Sequence, residues 1–156
     1  MRAKKSNLNL QAFELLESHY EFIEPKTGVV RDVNALFAGY AIEIDFQHQF
    51  DKEGAIMVLC TIGVNTGSKP KAGYRMEVAA EGVFEIQNPE SLDQNILSNL
   101  KFYSTLNMMI NTLRNVMFQL SNLGPMKGYL LPPIDVLDLF KQKKRKVASQ
   151  KKGQSM

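Results

Sequence analysis

The chain lacks most of the residues and motifs on which catalysis and redox chemistry depend. Its 156 residues include one cysteine, two histidines and no tryptophan. Cys60 cannot form an internal disulfide and lies in an apolar run, so we expect a buried, inert thiol in a reducing compartment. No G-x-S-x-G, P-loop or G-x-G-x-x-G motif occurs. His19 lies on the first predicted strand and His48 just after the second, both without neighbouring cysteines, so we predict no metal site, no cofactor and no enzymatic activity.

Long hydrophobic runs are also missing. No segment is long and apolar enough to span a bilayer, and the N-terminal MRAKKSNLNLQAF has no apolar core of signal-peptide length. The length of 156 residues fits one domain with a core of its own. These features predict a soluble, cytoplasmic protein.

Acidic residues are absent from residue 141 onward. That stretch holds seven basic residues, whereas residues 1–140 hold 12 basic and 16 acidic residues, a net charge of −4. We therefore predict a folded domain over 1–140 and a basic, disordered tail over 141–156. An alternative is that the tail binds nucleic acid through phosphates. The lack of interleaved aromatic residues and the acidic folded part argue against it. The basic residues are Lys141, Lys143, Lys144, Arg145, Lys146, Lys151 and Lys152.

Charge is scarce in residues 100–123 as well, where only Lys101 and Arg114 are charged. The apolar residues of this stretch recur at the three-and-four spacing of one helical face, which predicts a long helix. Its other face is polar but almost uncharged, so we expect the helix to be covered by its own sheet on one side and by another subunit on the other. A helix buried within a monomer is the alternative. The predicted subunit interface contains Asn107, Asn111, Arg114 and Phe118.

Alternating apolar and polar residues predict four strands, over 13–23, 40–46, 55–64 and 74–86. In the first strand Leu16, Tyr20 and Phe22 are expected on one face, and Gly82 is expected at a bulge or a close approach. Pro132-Pro133 begins a second helix, predicted to run to residue 146. We predict an α+β fold, a four-stranded antiparallel sheet with one long and one shorter C-terminal helix packed on one face.

Two apolar segments, 32–39 and 126–133, are predicted as loops beside the sheet. Together with a methionine-bearing helix, such loops can line a groove for extended peptides, or they can close the ends of the core. The alternating acids Glu77, Glu81 and Glu85 are typical of a solvated strand face rather than of acid–base catalysis.

Three segments from Tyr74 onward carry a set of motifs. The fourth strand has the pattern E-V-x-x-x-G-x-F-x-I, the long helix follows it after Asn99-Leu100 and before Tyr103, and the second helix starts in the proline-containing segment GYLLPPIDVLDLF. The residues of these motifs are Glu77, Val78, Gly82, Phe84 and Ile86 in the strand, and Leu131, Pro133, Ile134, Asp135, Leu139 and Phe140 in the last segment. In these motifs the chain resembles the SecB family of export chaperones.

The resemblance implies an ATP-independent holdase, a homotetramer built as a dimer of dimers that binds unfolded polypeptides in apolar grooves. It also implies contact with SecA through acidic residues on the exposed sheet face, a role that the motif gives to Glu77. Some SecB-like proteins serve instead as chaperones for the antitoxin of a toxin–antitoxin pair, which is an alternative here. The acids expected to join Glu77 by strand parity are Glu43, Asp45, Glu81 and Glu85. The predicted client groove contains Phe37, Tyr40, Ile42, Ile44, Phe46, Leu130, Leu131, Leu137 and Phe140.

Overall fold

A computed structural model describes residues 1–153 and shows the predicted α+β fold, a four-stranded antiparallel sheet with helices. The strands follow one another along the chain, with one short helix between the first two, and three α-helices come after the last strand in the described residues. The elements are β1 (Leu8–Ile23), α1 (Val33–Ala38), β2 (Ile42–Phe50), β3 (Ile56–Val64), β4 (Gly73–Ile86), α2 (Gln94–Asn99), α3 (Thr105–Asn122) and α4 (Val136–Gly153).

The strand order in the sheet is β1-β4-β3-β2, so β1 and β2 form the two edges. Cys60 lies at the centre of β3, paired with Phe46 of β2 and Ala80 of β4. Burial raises the pKa of its thiol to about 12, which agrees with the predicted inert, buried cysteine. Gly82 is a close approach, because a Cβ there would overlap the sulfur of Met109.

The long helical segment begins earlier than predicted. α2 and α3 are joined by a π-helical turn over Leu100–Ser104, so helical structure runs from Gln94 to Asn122. The apolar stripe of α3 packs on the sheet as predicted, whereas Leu123, counted in that stripe, is 86% exposed. The apolar residues of α3 that are buried are Leu106, Met109, Ile110, Leu113 and Met117.

Three predicted elements are corrected by the structure. β1 begins at Leu8 and is shifted in register between Leu10 and Ala12 and between Leu15 and Glu17, so Leu16 lies at an irregularity and does not share a regular face with Tyr20. Residues 33–38, predicted as a loop, form α1, whose first turn is capped by the Asp32 carboxylate.

The third correction concerns the basic tail. α4 runs through the predicted domain boundary at residue 140 and continues to Gly153, seven residues past the predicted end of the second helix, so the described part of the tail predicted as disordered is helical. Lysine, glutamine, arginine and alanine are all good helix formers, and the Asp135 carboxylate accepts a hydrogen bond from the Asp138 N–H at the start of the helix. Residues 154–156 of the predicted tail lie outside the described residues.

Candidate functional site at the free edge of β2

The backbone of β2 presents unpaired groups at the edge of the sheet. Neighbouring residues of a strand direct their N–H and C=O groups to opposite sides. The Asn65 N–H donates to the Ala41 C=O at 2.9 Å, so odd-numbered residues of this stretch face β3 and even-numbered residues face the free edge. Among the described residues, no hydrogen bond is made to the edge-facing groups of Ile42 or Ile44. One extended segment of this edge is therefore open to a further strand.

The open edge adjoins a cleft of about 510 Å³ between β2 and α4, which we call the edge cleft. Its apolar wall comes from two half-buried residues of β2 and from two residues at the start of the α4 segment. Its rim carries carboxylates and the ammonium group of Lys146. The apolar residues are Ile42, Ile44, Ile134 and Leu139, and the carboxylates are Glu43, Asp45 and Glu77.

α4 ends the open edge at Phe46. The Phe46 N–H donates to Asp45 Oδ1 at 2.9 Å, and its C=O accepts a hydrogen bond from Lys143 Nζ. The same ammonium group lies 2.9 Å from Asp45 Oδ1 and 4.7 Å from the centre of the Phe46 ring. The hydrogen bond from Lys143 is the largest of the effects that lower the pKa of Asp45. The backbone groups of Phe46 are thus satisfied by side chains.

An aromatic cluster holds α4 against the sheet from the other side. The Phe140 ring lies 4.8 Å from that of Phe46 and 4.9 Å from that of Tyr103, between ring centres. His48 is 5.9 Å from Phe140 and 3.0 Å from the Thr105 hydroxyl, Nε2 to Oγ1. Burial lowers the pKa of His48, which favours the neutral imidazole in this apolar setting. Among the residues that the structure describes, no group of three or more histidine, cysteine or acidic side chains could hold a metal ion.

The residues predicted for the client groove do not form one open surface. Tyr40, Phe46 and Leu131 are buried in the core, so the prediction that they line a groove is corrected for the single chain. The Tyr40 hydroxyl donates to the Ala72 C=O at 2.8 Å. The remaining predicted residues are half-buried or exposed. Phe37, Ile42, Ile44 and Phe140 are half-buried, while Leu130 and Leu137 are 60% and 57% exposed.

Sequence reasoning missed six residues of the edge cleft, namely Thr61, Gly63, Ile134, Leu139, Gln142 and Lys146. A helix that began directly after Pro132-Pro133, as predicted, would place Ile134 on one face with Leu137 and Phe140. The helix begins at Val136, so Ile134 precedes it, and Leu139 rather than the exposed Leu137 lines the cleft. The pattern of apolar residues gave no signal for the direction of β2 backbone groups.

The predicted acidic residues lie on the uncovered face of the sheet. Glu43 and Glu77 both pair with Gly63, and Asp45 pairs with Thr61 of the same strand. Strand β1 adds three further carboxylates that sequence analysis did not include, because its register shifts hide the alternation. Docking of a basic partner such as SecA on this acidic face stays a prediction. The face carries Glu14, Glu17, Glu21, Glu43, Asp45, Glu77, Glu81 and Glu85.

Arg114, predicted at a subunit interface, makes contacts within its own chain. Its Nε donates to the Leu131 C=O at 2.8 Å, and a terminal nitrogen donates to the Pro132 C=O at 3.0 Å. The other terminal nitrogen donates to the Asn111 side-chain oxygen. Arg114 therefore fixes the segment between α3 and α4, whereas Asn107, Asn111 and Phe118 lie on the exposed face of α3.

The fold of the chain is similar to that of solved proteins, although its sequence is not. No family model matches the chain, and no curated protein matches it. A solved structure does match, the Mycobacterium tuberculosis SecB-like chaperone Rv1957 in complex with a ChAD peptide from the HigA1 antitoxin, with a TM-score of 0.51 and 11% sequence identity. The match covers 81% of this chain and 90% of that chain. The chain has a SecB-like fold.

A second solved structure, of a Streptococcus agalactiae protein of unknown function, matches with a TM-score of 0.46 and 10% identity. That match covers 81% of this chain and 97% of the other. In the described part of the SecB-like chain, no helix has the length and hydropathy needed to cross a membrane.

Proposed function

We propose that this SecB-like chain is an ATP-independent holdase that binds extended apolar segments of unfolded polypeptides at the free edge of β2. The observation that carries the proposal is the open backbone of Ile42 and Ile44 beside the apolar wall of the edge cleft. A client segment would add a strand to this edge and place alternate side chains against Ile134 and Leu139. The SecB-like fold supports the same class of function.

The energetics of such a site suit a chaperone. Backbone hydrogen bonds contribute roughly 0.5–1.5 kcal/mol each and do not depend on the client's sequence. A buried apolar side chain adds roughly 1.5–3 kcal/mol. A short edge closed at Phe46 therefore gives modest affinity for many sequences, and weak binding allows fast release.

Two kinds of client remain to be distinguished. A general holdase would bind many unfolded chains and pass them to an export partner such as SecA. The second candidate is a chaperone dedicated to an antitoxin, which is favoured by the antitoxin peptide bound to the M. tuberculosis SecB-like structure. A general holdase and a dedicated chaperone would both bind an extended apolar peptide. In the dedicated chaperone, one client would bind much more tightly than the others.

The holdase proposal predicts that the purified protein suppresses aggregation of chemically denatured clients without any nucleotide. Light scattering of several unrelated clients should fall as the chaperone approaches equimolar amounts. Suppression limited to a co-encoded antitoxin would indicate the dedicated role. Unchanged scattering for every client, antitoxin included, would count decisively against a holdase.

We also propose that the chain assembles as a homotetramer, a dimer of dimers, through the exposed face of α3. This face carries Asn107, Met108, Asn111, Asn115 and Phe118, and its one charged side chain, Arg114, is hydrogen-bonded to C=O groups of its own chain, so the face suits a partner helix better than water. Beside it, Leu15 and Tyr20 of β1 are partly exposed although their strand neighbours Ala80 and Met76 are buried.

Phe118→Glu is expected to split the assembly, because it places a charge in an apolar contact. Sedimentation velocity at micromolar concentration should show the wild type as tetramers and the variant as smaller species. Gln47→Glu, exposed on the uncovered face of the sheet and away from α3, serves as a charge-matched control. A monomeric wild type would show that the assembly does not exist.

A further inference from the structure

The cations of α4 divide between two faces of the helix. Successive residues are rotated by about 100°, so Leu139 and Lys143, which contact the rest of the chain, lie about 160° from Lys141. Lys144 and Arg145 lie on the same side as Lys141. All three of these cations are exposed, and none forms an ion pair with the described residues. We call these three residues the α4 ridge.

The spacing of the α4 ridge suits a chain of phosphates. Lys144 and Arg145 follow Lys141 by three and four positions, so each of their side chains begins about 5–6 Å from that of Lys141. No acidic residue follows Asp138 in the sequence. A strand of phosphates carries evenly spaced negative charges, and cations that neutralise them release condensed counterions.

The ridge does not suit a membrane surface. A helix that lies in a lipid interface needs a broad apolar face opposite its charges. The apolar side of α4 is instead occupied by its own chain, since Phe140 packs on Phe46 and Leu139 lines the edge cleft. Leu137 and Val147 are exposed but stand singly, ten residues apart.

We propose that the α4 ridge binds single-stranded nucleic acid through its phosphates. A flexible single strand can fit its phosphates to this compact group of three cations, whereas the phosphates of a duplex are held in fixed positions. The ridge has no aromatic residue to stack on bases, so binding should depend steeply on salt and little on sequence. The acidic face of the sheet repels the nucleic acid. The nucleic acid is therefore confined to α4, and the edge cleft stays open to a client.

The test measures fluorescence anisotropy of a labelled oligouridylate of about 20 nucleotides with the full chain over a salt series. Three contacts predict a slope of about −2 in log K against log salt, because each single-strand contact contributes about −0.7. Lys141→Gln, Lys144→Gln and Arg145→Gln together should weaken binding at least about tenfold at about 50 mM salt and bring the slope near zero.

A charge-matched control is available at the opposite edge of the sheet. Arg2, Lys4 and Lys5 are exposed, precede β1 and lie in no helix or strand. Changing these three to glutamine removes the same charge and should alter affinity less than about threefold, if contact rather than net charge decides binding. Circular dichroism of both triple variants checks that α4 remains helical.

Other outcomes overturn the proposal. Equal losses of oligouridylate affinity in the two triple variants would mean that only long-range charge attraction is at work. No binding of the wild type at about 50 mM salt would show that the site does not exist. Tighter binding to a duplex of the same length would contradict the preference for a flexible strand, whereas oligothymidylate should bind like oligouridylate. If the α4 ridge were needed for binding to phosphatidylserine vesicles and the chain bound no oligonucleotide, the partner of the ridge would be a membrane surface. Salt-sensitive self-association that explains the whole anisotropy change would indicate a second copy of the chain.

Discussion

Replacing Arg114 with leucine is expected to lower the free energy of unfolding by about 2–4 kcal/mol. The guanidinium group donates hydrogen bonds to the C=O groups of Leu131 and Pro132, and the Leu131 side chain is buried. Removing the donors leaves a carbonyl without a partner at a buried position, which costs more than the net value of a hydrogen bond. Urea denaturation followed by circular dichroism measures the effect.

Two comparisons separate this role from a role at a subunit interface. Arg114→Lys keeps the charge but loses the planar guanidinium group, whose N–H groups reach both C=O groups. Compared with Arg114→Leu, it should recover less than half of the lost free energy of unfolding. The loss in Arg114→Leu should also be independent of protein concentration, because the contacts lie within one chain. A loss that disappears on dilution would place Arg114 at an interface instead.

The sheet and the long helix could be predicted because their burial follows the sequence pattern. Tyr74, Met76 and Val78 of β4 are buried while Glu77 is exposed, which is the alternation of a strand covered on one face. The buried apolar residues of α3 recur with the period of an α-helix that is covered on one face.

Other features depend on information that side-chain patterns do not contain. The register shifts of β1 change which of its residues face the helices, and they hid Glu14, Glu17 and Glu21 from the predicted acidic face. The edge cleft depends on the direction of backbone groups in β2 and on the docking of α4. That docking comes from Phe140 and from the two hydrogen bonds of Lys143, all contacts between residues far apart in sequence.

Ile44→Pro is expected to abolish most client binding while leaving the fold intact. The Ile44 N–H faces the free edge, so proline removes no hydrogen bond to β3, and edge strands tolerate it for that reason. The change removes a donor that a client strand needs and places a ring in its path. Client affinity should fall at least about tenfold, equivalent to about 1.4 kcal/mol.

The matched control is Ile44→Val, which keeps the N–H and loses one methylene group. It should bind clients within about fourfold of the wild type, since one buried methylene group contributes about 0.8 kcal/mol. Both variants should keep the circular dichroism spectrum of the wild type. If Ile44→Pro binds as well as Ile44→Val, the edge of β2 does not carry client binding.

The most direct measurement of strand addition uses one extended apolar client peptide in two N-methylated forms. A strand presents alternate N–H groups to its neighbour and to solvent. Methylation of every second amide should weaken binding to the wild type at least about tenfold when the methyl groups face β2. Methylation of the other set should leave affinity nearly unchanged. Equal affinities for the two forms, measured by isothermal titration calorimetry, would contradict client binding at the free edge of β2.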